Sequence, residues 1–135
     1  MSALKVVALD RDTLCKRPFA FDFEHELIEY PRTAPQETAE RLAGADVVIT
    51  NKVLIDSSHL AANPQLKLIA VAATGYNNVD IEAARRNGTV VCNIPAYSSD
   101  SVAEHAMMMI LALMRNLPAY QRDVAAGLWA QSPFF

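Results

Sequence analysis

The chain has 135 residues, 52% of them hydrophobic, and a net charge of −3 from 12 basic and 15 acidic side chains. That length closes the core of one ordinary domain, and that apolar content excludes a disordered chain. Charge is spread without a basic block, and the one doublet, Arg85-Arg86, reads as a solvated helix face, so a nucleic-acid partner is excluded.

The N-terminal MSALKVVALDRD carries one lysine, a short apolar run and then acids, which predicts a strand at 5–9 rather than a secretory signal. Asp10 and Asp12 follow it as loop acids or helix caps. Further short apolar runs at 26–30, 46–50, 66–72 and 89–94, most of them rich in Val and Ile, predict four more buried strands. Between them lie helical patterns. PQETAERLAG (35–44) has Gln36 and Glu37 in its first turn and Gly44 placed to end it; a weaker helix follows at 56–62, stopped by Asn63-Pro64. A third runs from 79 to 87 with Gly88 at its end. His25 and His59 read as surface residues. Strand and helix alternating at this rhythm predict βαβ units, hence an α/β fold with a doubly wound parallel sheet of about five strands.

After Ile94 the character changes. Pro95 breaks the strand, Ser98, Ser99, Asp100 and Ser101 offer a choice of N-caps, Ser101-x-x-Glu104 has the form of a capping box, and an apolar helix is predicted from there to 116. That helix has almost no polar face, so it is expected to be wedged against a second domain or subunit, with His105 buried or at an interface. Its longest apolar run, 106–114, is far shorter than the ~18 residues a membrane span needs, so no membrane partner is expected. The remaining segment holds Trp129 and stops on Phe134-Phe135, unspent hydrophobics that lead us to expect further chain. Cys15 and Cys92 lie far apart with no ligand spacing, which predicts reduced thiols, a cytoplasmic protein and no metal site.

In an open parallel sheet, ligands bind beyond the carboxyl ends of the strands. Three segments qualify: 10–12, Asn51-Lys52, and the loop in AATGYNNVD (72–80). Gly75 permits positive φ or close approach of a ligand to the backbone, Asn77 and Asn78 tolerate left-handed conformations, and Asn78 is placed to cap the helix from Val79. Such a loop is either a plain βα turn or, with N–H groups ahead of a helix N-terminus, a carboxylate or phosphate site. Lys52 is either solvated or the cation of that same site. The glycines (44, 75, 88 and 127) are too far apart for G-x-G-x-x-G or a P-loop, so no dinucleotide fingerprint is present.

The motifs TGYNNVD and N-x-P-x-Y-x(3)-SVAEH, at their separation here, make the chain resemble the N-terminal catalytic half of the D-isomer-specific 2-hydroxyacid dehydrogenases. GLWAQSPFF resembles their glycerate dehydrogenase (hydroxypyruvate reductase) branch. The resemblance implies a flavodoxin-like substrate domain over 1–100. It makes 101–135 an interdomain or dimerisation helix and the start of a Rossmann domain that binds NAD or NADP. It implies that backbone N–H groups around Gly75, Tyr76 and Asn77 hold the carboxylate of a small 2-keto or 2-hydroxy acid, that Lys52 reaches the same substrate, and that Val102 faces the nicotinamide. It also implies a homodimer, and a C-terminal helix that packs back onto this domain. The family's catalytic Arg, Glu and His fall outside this sequence, and Glu104-His105 is not that pair. The chain is therefore expected to be a truncated, self-associating substrate-binding portion, inactive alone. Two other readings stand beside it. One is a stand-alone ligand-binding or regulatory module without catalysis. The other is a phospho-receiver, which Thr50-Asn51-Lys52 disfavours because no aspartate ends the third strand.

Overall fold

Five apolar runs become strands in the computed structural model, which describes residues 3–133. They are β1 (Leu4–Ala8), β2 (His25–Glu29), β3 (Val47–Thr50), β4 (Leu68–Val71) and β5 (Val90–Cys92). Phe134 and Phe135, the expected apolar chain end, lie outside the described residues. All pairings are parallel and the strand order is β2-β1-β3-β4-β5, with Val6 opposite both Leu27 and Val47. This is the predicted α/β parallel sheet.

The last two strands are shorter than expected because their ends are used elsewhere. Lys67 and Leu68 both donate N–H to Asp46 O, and Ile94 donates to Ala73 O, so residues 93–94 leave the ladder to brace a loop.

Alternation within each strand sorts the core. Val7, Leu9, Val48, Ile69 and Val71 face one side, where they meet Leu42 of α1 (Thr38–Leu42), Leu60 of α2 (Ser57–Ala62), and Ala83 and Ala84 of α3 (Ile81–Asn87). Val6, Ala8 and Ile49 face the other side under Leu14, Phe19 and Phe21 of the β1–β2 connection, whose only helical piece is a 3₁₀ turn at Arg11–Thr13. Right-handed crossovers account for the split. The chain steps one way from β1 to β2 and the other way from β2 to β3, β4 and β5, which puts the three helices on one face. The reversal opens between the carboxyl ends of β1 and β3.

Helix boundaries follow local hydrogen bonds. A 3₁₀ turn at Pro35–Glu37 leads into α1, the Glu37 carboxylate accepts the Ala34 N–H at 2.7 Å, and Gly44 beyond the helix takes φ +74. Gly88 ends α3 at φ +76. Residue 79 does not start α3, however. Ile55 and Val79 form an isolated parallel bridge, with Ile55 N–H to Asn78 O at 2.8 Å and Asp80 N–H to Ile55 O at 3.0 Å, which keeps 79–80 out of the helix. The cap is therefore Asp80, whose carboxylate accepts the Ala83 N–H, and not Asn78. His59 is likewise no surface residue: its side chain is 15% exposed and its Nδ1 accepts the Asp56 N–H at 3.2 Å. His25 is half-buried, its ring edge-on to Phe21 and Phe23.

The contacts divide the chain after Pro95 into two units. The second begins at Ala96, which has φ +56, and comprises α4 (Ser99–Met114), α5 (Leu117–Ala125) and α6 (Leu128–Gln131). Because α4 starts at Ser99 with Ser98 as a cap that makes no side-chain bond, Ser101 is already inside the helix and the expected Ser101–Glu104 capping box does not form. No residue of α4 is buried, His105 included. Among the described residues no helix is long and apolar enough to cross a membrane.

Candidate functional site

Three loops at the carboxyl ends of β1, β3 and β4 carry the residues of interest, and side chains at their bases lock them together. Asp10, two residues past the end of β1, is only 4% exposed. It does not cap the 3₁₀ turn that follows it. Its carboxylate instead accepts the Asn51 N–H at 3.0 and 3.1 Å and the Lys52 N–H at 2.6 Å, which makes it a clamp on the loop after β3. Asp12 is exposed and lies 3.4 Å from Arg32. Thr50, fully buried, accepts the Val53 N–H on its hydroxyl. Between these anchors Lys52 is exposed, and its ammonium makes no hydrogen bond or ion pair with any described residue.

The loop after β4 is held from both ends. Asn93 donates its amide to Thr74 O at 2.8 Å, and the Thr74 hydroxyl donates to Ile94 O at 3.1 Å. At the other end Asn78 donates its amide to Val53 O at 3.0 Å, tying this loop to the one that carries Lys52. Between the anchors, Gly75, Tyr76 and Asn77 are exposed, and their three consecutive N–H groups donate to no described residue.

Two expectations about this loop are corrected. Gly75 does not use positive φ, and neither Asn77 nor Asn78 is left-handed; the chain reverses instead through a turn at 76–79 closed by the Val79 N–H on Tyr76 O at 3.1 Å. The free N–H groups also do not form the N-terminus of α3, which Asp80 already caps. What glycine provides is room: a Cβ at 75 would meet only Asn77 Oδ1, at 3.4 Å.

Lys52 therefore sits one residue before one end of the Asn78–Val53 brace, and Asn77 one residue before the other. Beside Lys52 opens a pocket of about 470 Å³, lined also by Thr33, Val53, Leu54 and His59. Here the Ser58 hydroxyl, donating at 2.6 Å, and then the His59 N–H hold the Asp56 carboxyl below its usual range. A second pocket, about 410 Å³, has Tyr76 on its wall with Ile81, Arg85 and Asn93. Neither pocket includes Gly75 or Asn77, whose N–H groups are open surface.

Val102 lies in the first turn of α4, in the second unit, and is 64% exposed. Among the described residues no cluster of His, Cys, Asp or Glu is placed to hold a metal, and Cys15 and Cys92 are free and exposed. The sequence reading did not find three residues: Asp10 as a clamp, Asn78 as a brace between loops, and Asn93 as the hold on Thr74. Only Asn93 carried a signal, its place at the start of the N-x-P-x-Y motif.

Comparison with known proteins gives this arrangement a family. The profile described as D-isomer specific 2-hydroxyacid dehydrogenase, catalytic domain, matches residues 6–132. The glycerate dehydrogenase of Methylorubrum extorquens is 43% identical over 132 residues, covering 97% of this chain and 42% of that protein. The hydroxypyruvate reductase of Blautia hydrogenotrophica is 32% identical over 138 residues, covering 96% and 42%. Among solved structures, the NAD+-bound 3-phosphoglycerate dehydrogenase of Entamoeba histolytica superposes with a TM-score of 0.60 at 28% identity, over 82% of this chain and 39% of that one. The chain thus spans about two fifths of the length of the relatives it matches. With a profile match over almost its whole length and a relative of 43% identity, the chain belongs to the D-isomer-specific 2-hydroxyacid dehydrogenase family, within its catalytic domain.

Proposed function

We propose that the loop of Gly75, Tyr76 and Asn77 holds the carboxylate of a small 2-keto or 2-hydroxy acid, with Lys52 supplying a cation to the same ligand. The activity served is that of an NAD(P)-dependent D-2-hydroxyacid dehydrogenase of the glycerate dehydrogenase type. The observation that carries this reading is the run of N–H groups over 74–78, at the carboxyl end of β4, that donate to no described residue, with Gly75, Tyr76 and Asn77 exposed at its centre. Successive backbone donors without an internal acceptor favour an anion, and the bare α-carbon of Gly75 lets it come close. Charge-assisted bonds of this kind are about twice as strong as neutral ones. Lys52 is free to join because nothing else in the described chain neutralises it.

A nicotinamide cofactor finds little to hold it in these residues. The four glycines are dispersed, and the described residues offer no glycine-rich turn for a pyrophosphate. Val102 is the one position with a proposed cofactor contact, and no step of hydride or proton transfer is assigned to this chain's residues. Glycerate, hydroxypyruvate and glyoxylate are the substrates that suit a short polar acid at Lys52, and both relatives' names point the same way. We further propose that α4 mediates a homodimer, because Met107, Met108, Ile110 and Leu111 all lie on its exposed surface.

The test is a titration of the 15N-labelled 135-residue chain with D-glycerate, with glycerol as the control lacking a carboxylate. Saturable shifts are expected at the amides of Gly75, Tyr76 and Asn77, with a Kd on the order of 1 mM, about −4 kcal/mol. Shifts spread evenly over the chain, or equal shifts with glycerol, would refute the site.

A further inference from the structure

We infer that Asp10 is a positioning residue for Lys52, fixing the direction from which that lysine reaches a carboxylate ligand. The inference rests on the proposed role of Lys52 and adds a residue to it.

Asp10 sits where strand order reverses, at the carboxyl end of β1. It is 96% removed from solvent, and no lysine or arginine pairs with its carboxylate among the described residues. A buried carboxylate without a cation is costly unless donors converge on it. The donors here are two successive backbone N–H groups, those of Asn51 and Lys52, the second at 2.6 Å. Both peptide planes are thereby turned toward the interior, and this sets the backbone from which the Lys52 side chain departs. The next residue is fixed as well: Val53 donates its N–H to the Thr50 hydroxyl and receives the Asn78 amide on its carbonyl. The lysine backbone is held on both sides while its ammonium stays unpaired. Both oxygens of the acid are thus committed to the backbone of the loop from which the unpaired Lys52 ammonium projects.

The experiment is a double-mutant cycle on the 135-residue chain with Asp10→Asn, Lys52→Met and the double variant, reading D-glycerate affinity from the Gly75 amide and hydrogen exchange at the Lys52 amide. Asp10→Asn keeps one acceptor and the volume. It is expected to weaken glycerate binding about fivefold or more and to speed exchange at Lys52. In the Lys52→Met background it is expected to change affinity less than about twofold, because coupling of this size belongs to residues acting through one another. An equal loss in both backgrounds would show a merely structural acid and overturn the inference. So would unchanged affinity in Asp10→Asn with wild-type binding intact, which leaves the carboxylate reading standing. If the wild-type chain binds no glycerate, the carboxylate reading falls and the role of Asp10 falls with it. Should Asp10→Asn not fold, Asp10→Ser, which also retains an acceptor, is read by the same cycle.

Discussion

Gly75→Ala separates a glycine required by the fold from one required by a ligand. At Gly44, Gly88 and Gly127 the backbone has φ near +70, where any side chain is strained. Gly75 is not among them, so alanine fits its backbone. An added Cβ would meet one atom, Asn77 Oδ1, at 3.4 Å, and that atom belongs to an exposed side chain able to swing aside. Where the native conformation is compatible, Gly→Ala stabilises by about 0.4–1 kcal/mol, because the unfolded chain loses more freedom than the folded one. Stability is therefore expected to stay level or rise slightly. Binding should behave oppositely. The methyl group would stand over the loop's N–H groups and push a carboxylate out of range of at least one. Losing one hydrogen bond to a charged group costs about 1.5–3 kcal/mol, or roughly 10- to 150-fold in affinity. Urea unfolding and the glycerate titration on the same preparation test both halves. A loss of stability above about 2 kcal/mol would make Gly75 a fold residue, and wild-type affinity in Gly75→Ala would remove the carboxylate from this loop.

The remaining expectations concern the frame around the site. The Lys67 side chain, bonded at 2.8 Å, and then the Lys5 N–H at 3.0 Å hold the Asp46 carboxyl below its usual range. Its contribution to stability is thus present above the unfolded value of about 3.9 and is lost as pH falls through the lower folded value; Asp46→Asn should flatten that acid limb in unfolding followed from about pH 6 to about pH 2. Leu60→Ala removes a side chain 1% exposed in the helix-side core and is expected to cost about 2–5 kcal/mol in urea unfolding, and a cost under about 1 kcal/mol would contradict the packing. Leu111→Glu on α4 should reduce self-association measured by light scattering, whereas a wild-type chain that stays monomeric across a wide concentration range would end the dimer proposal.

The parallel sheet was legible because its signal is collective: five short apolar runs, most of them rich in Val and Ile, with turn residues between them admit few other packings. The boundaries and caps were not, because each depends on a partner distant in sequence. Residue 79 reads as the start of a helix until Ile55, 24 positions earlier, pairs with it and hands the cap to Asp80. Ser101 and Glu104 form a capping pattern on paper, but the turn at Ala96 starts the helix at Ser99 and places Ser101 inside it. The site divides in the same way. Lys52 and the 75–77 loop were visible as residue types after strands, while Asp10 and Asn78 were not, since an acid or amide in a loop carries no mark of which backbone it will hold. Their partners lie 41, 42 and 25 residues away.

That division of polar groups bears on how the site would select its ligand. At the bases of the loops every side chain discussed is satisfied: Asp10 by two amides, Thr50 by Val53, Asn78 by Val53, Asn93 by Thr74. Among the described residues no buried side-chain nitrogen or oxygen lacks a partner. The Lys52 ammonium and the N–H groups of 75–77, which have no partner among the described residues, lie on exposed residues at the tips, where water satisfies them until a ligand does. The Asn77 carboxamide oxygen beside them is an acceptor, but the donors carry the charge. A ligand that replaces water at the Lys52 ammonium and these N–H groups must bring acceptors, and negative charge strengthens each bond it makes. Because the bases are pinned, little loop ordering remains to oppose binding. Discrimination of acid from alcohol is then set by the tips alone, which is why exchanging glycerate for glycerol tests the site more directly than altering any residue of its frame.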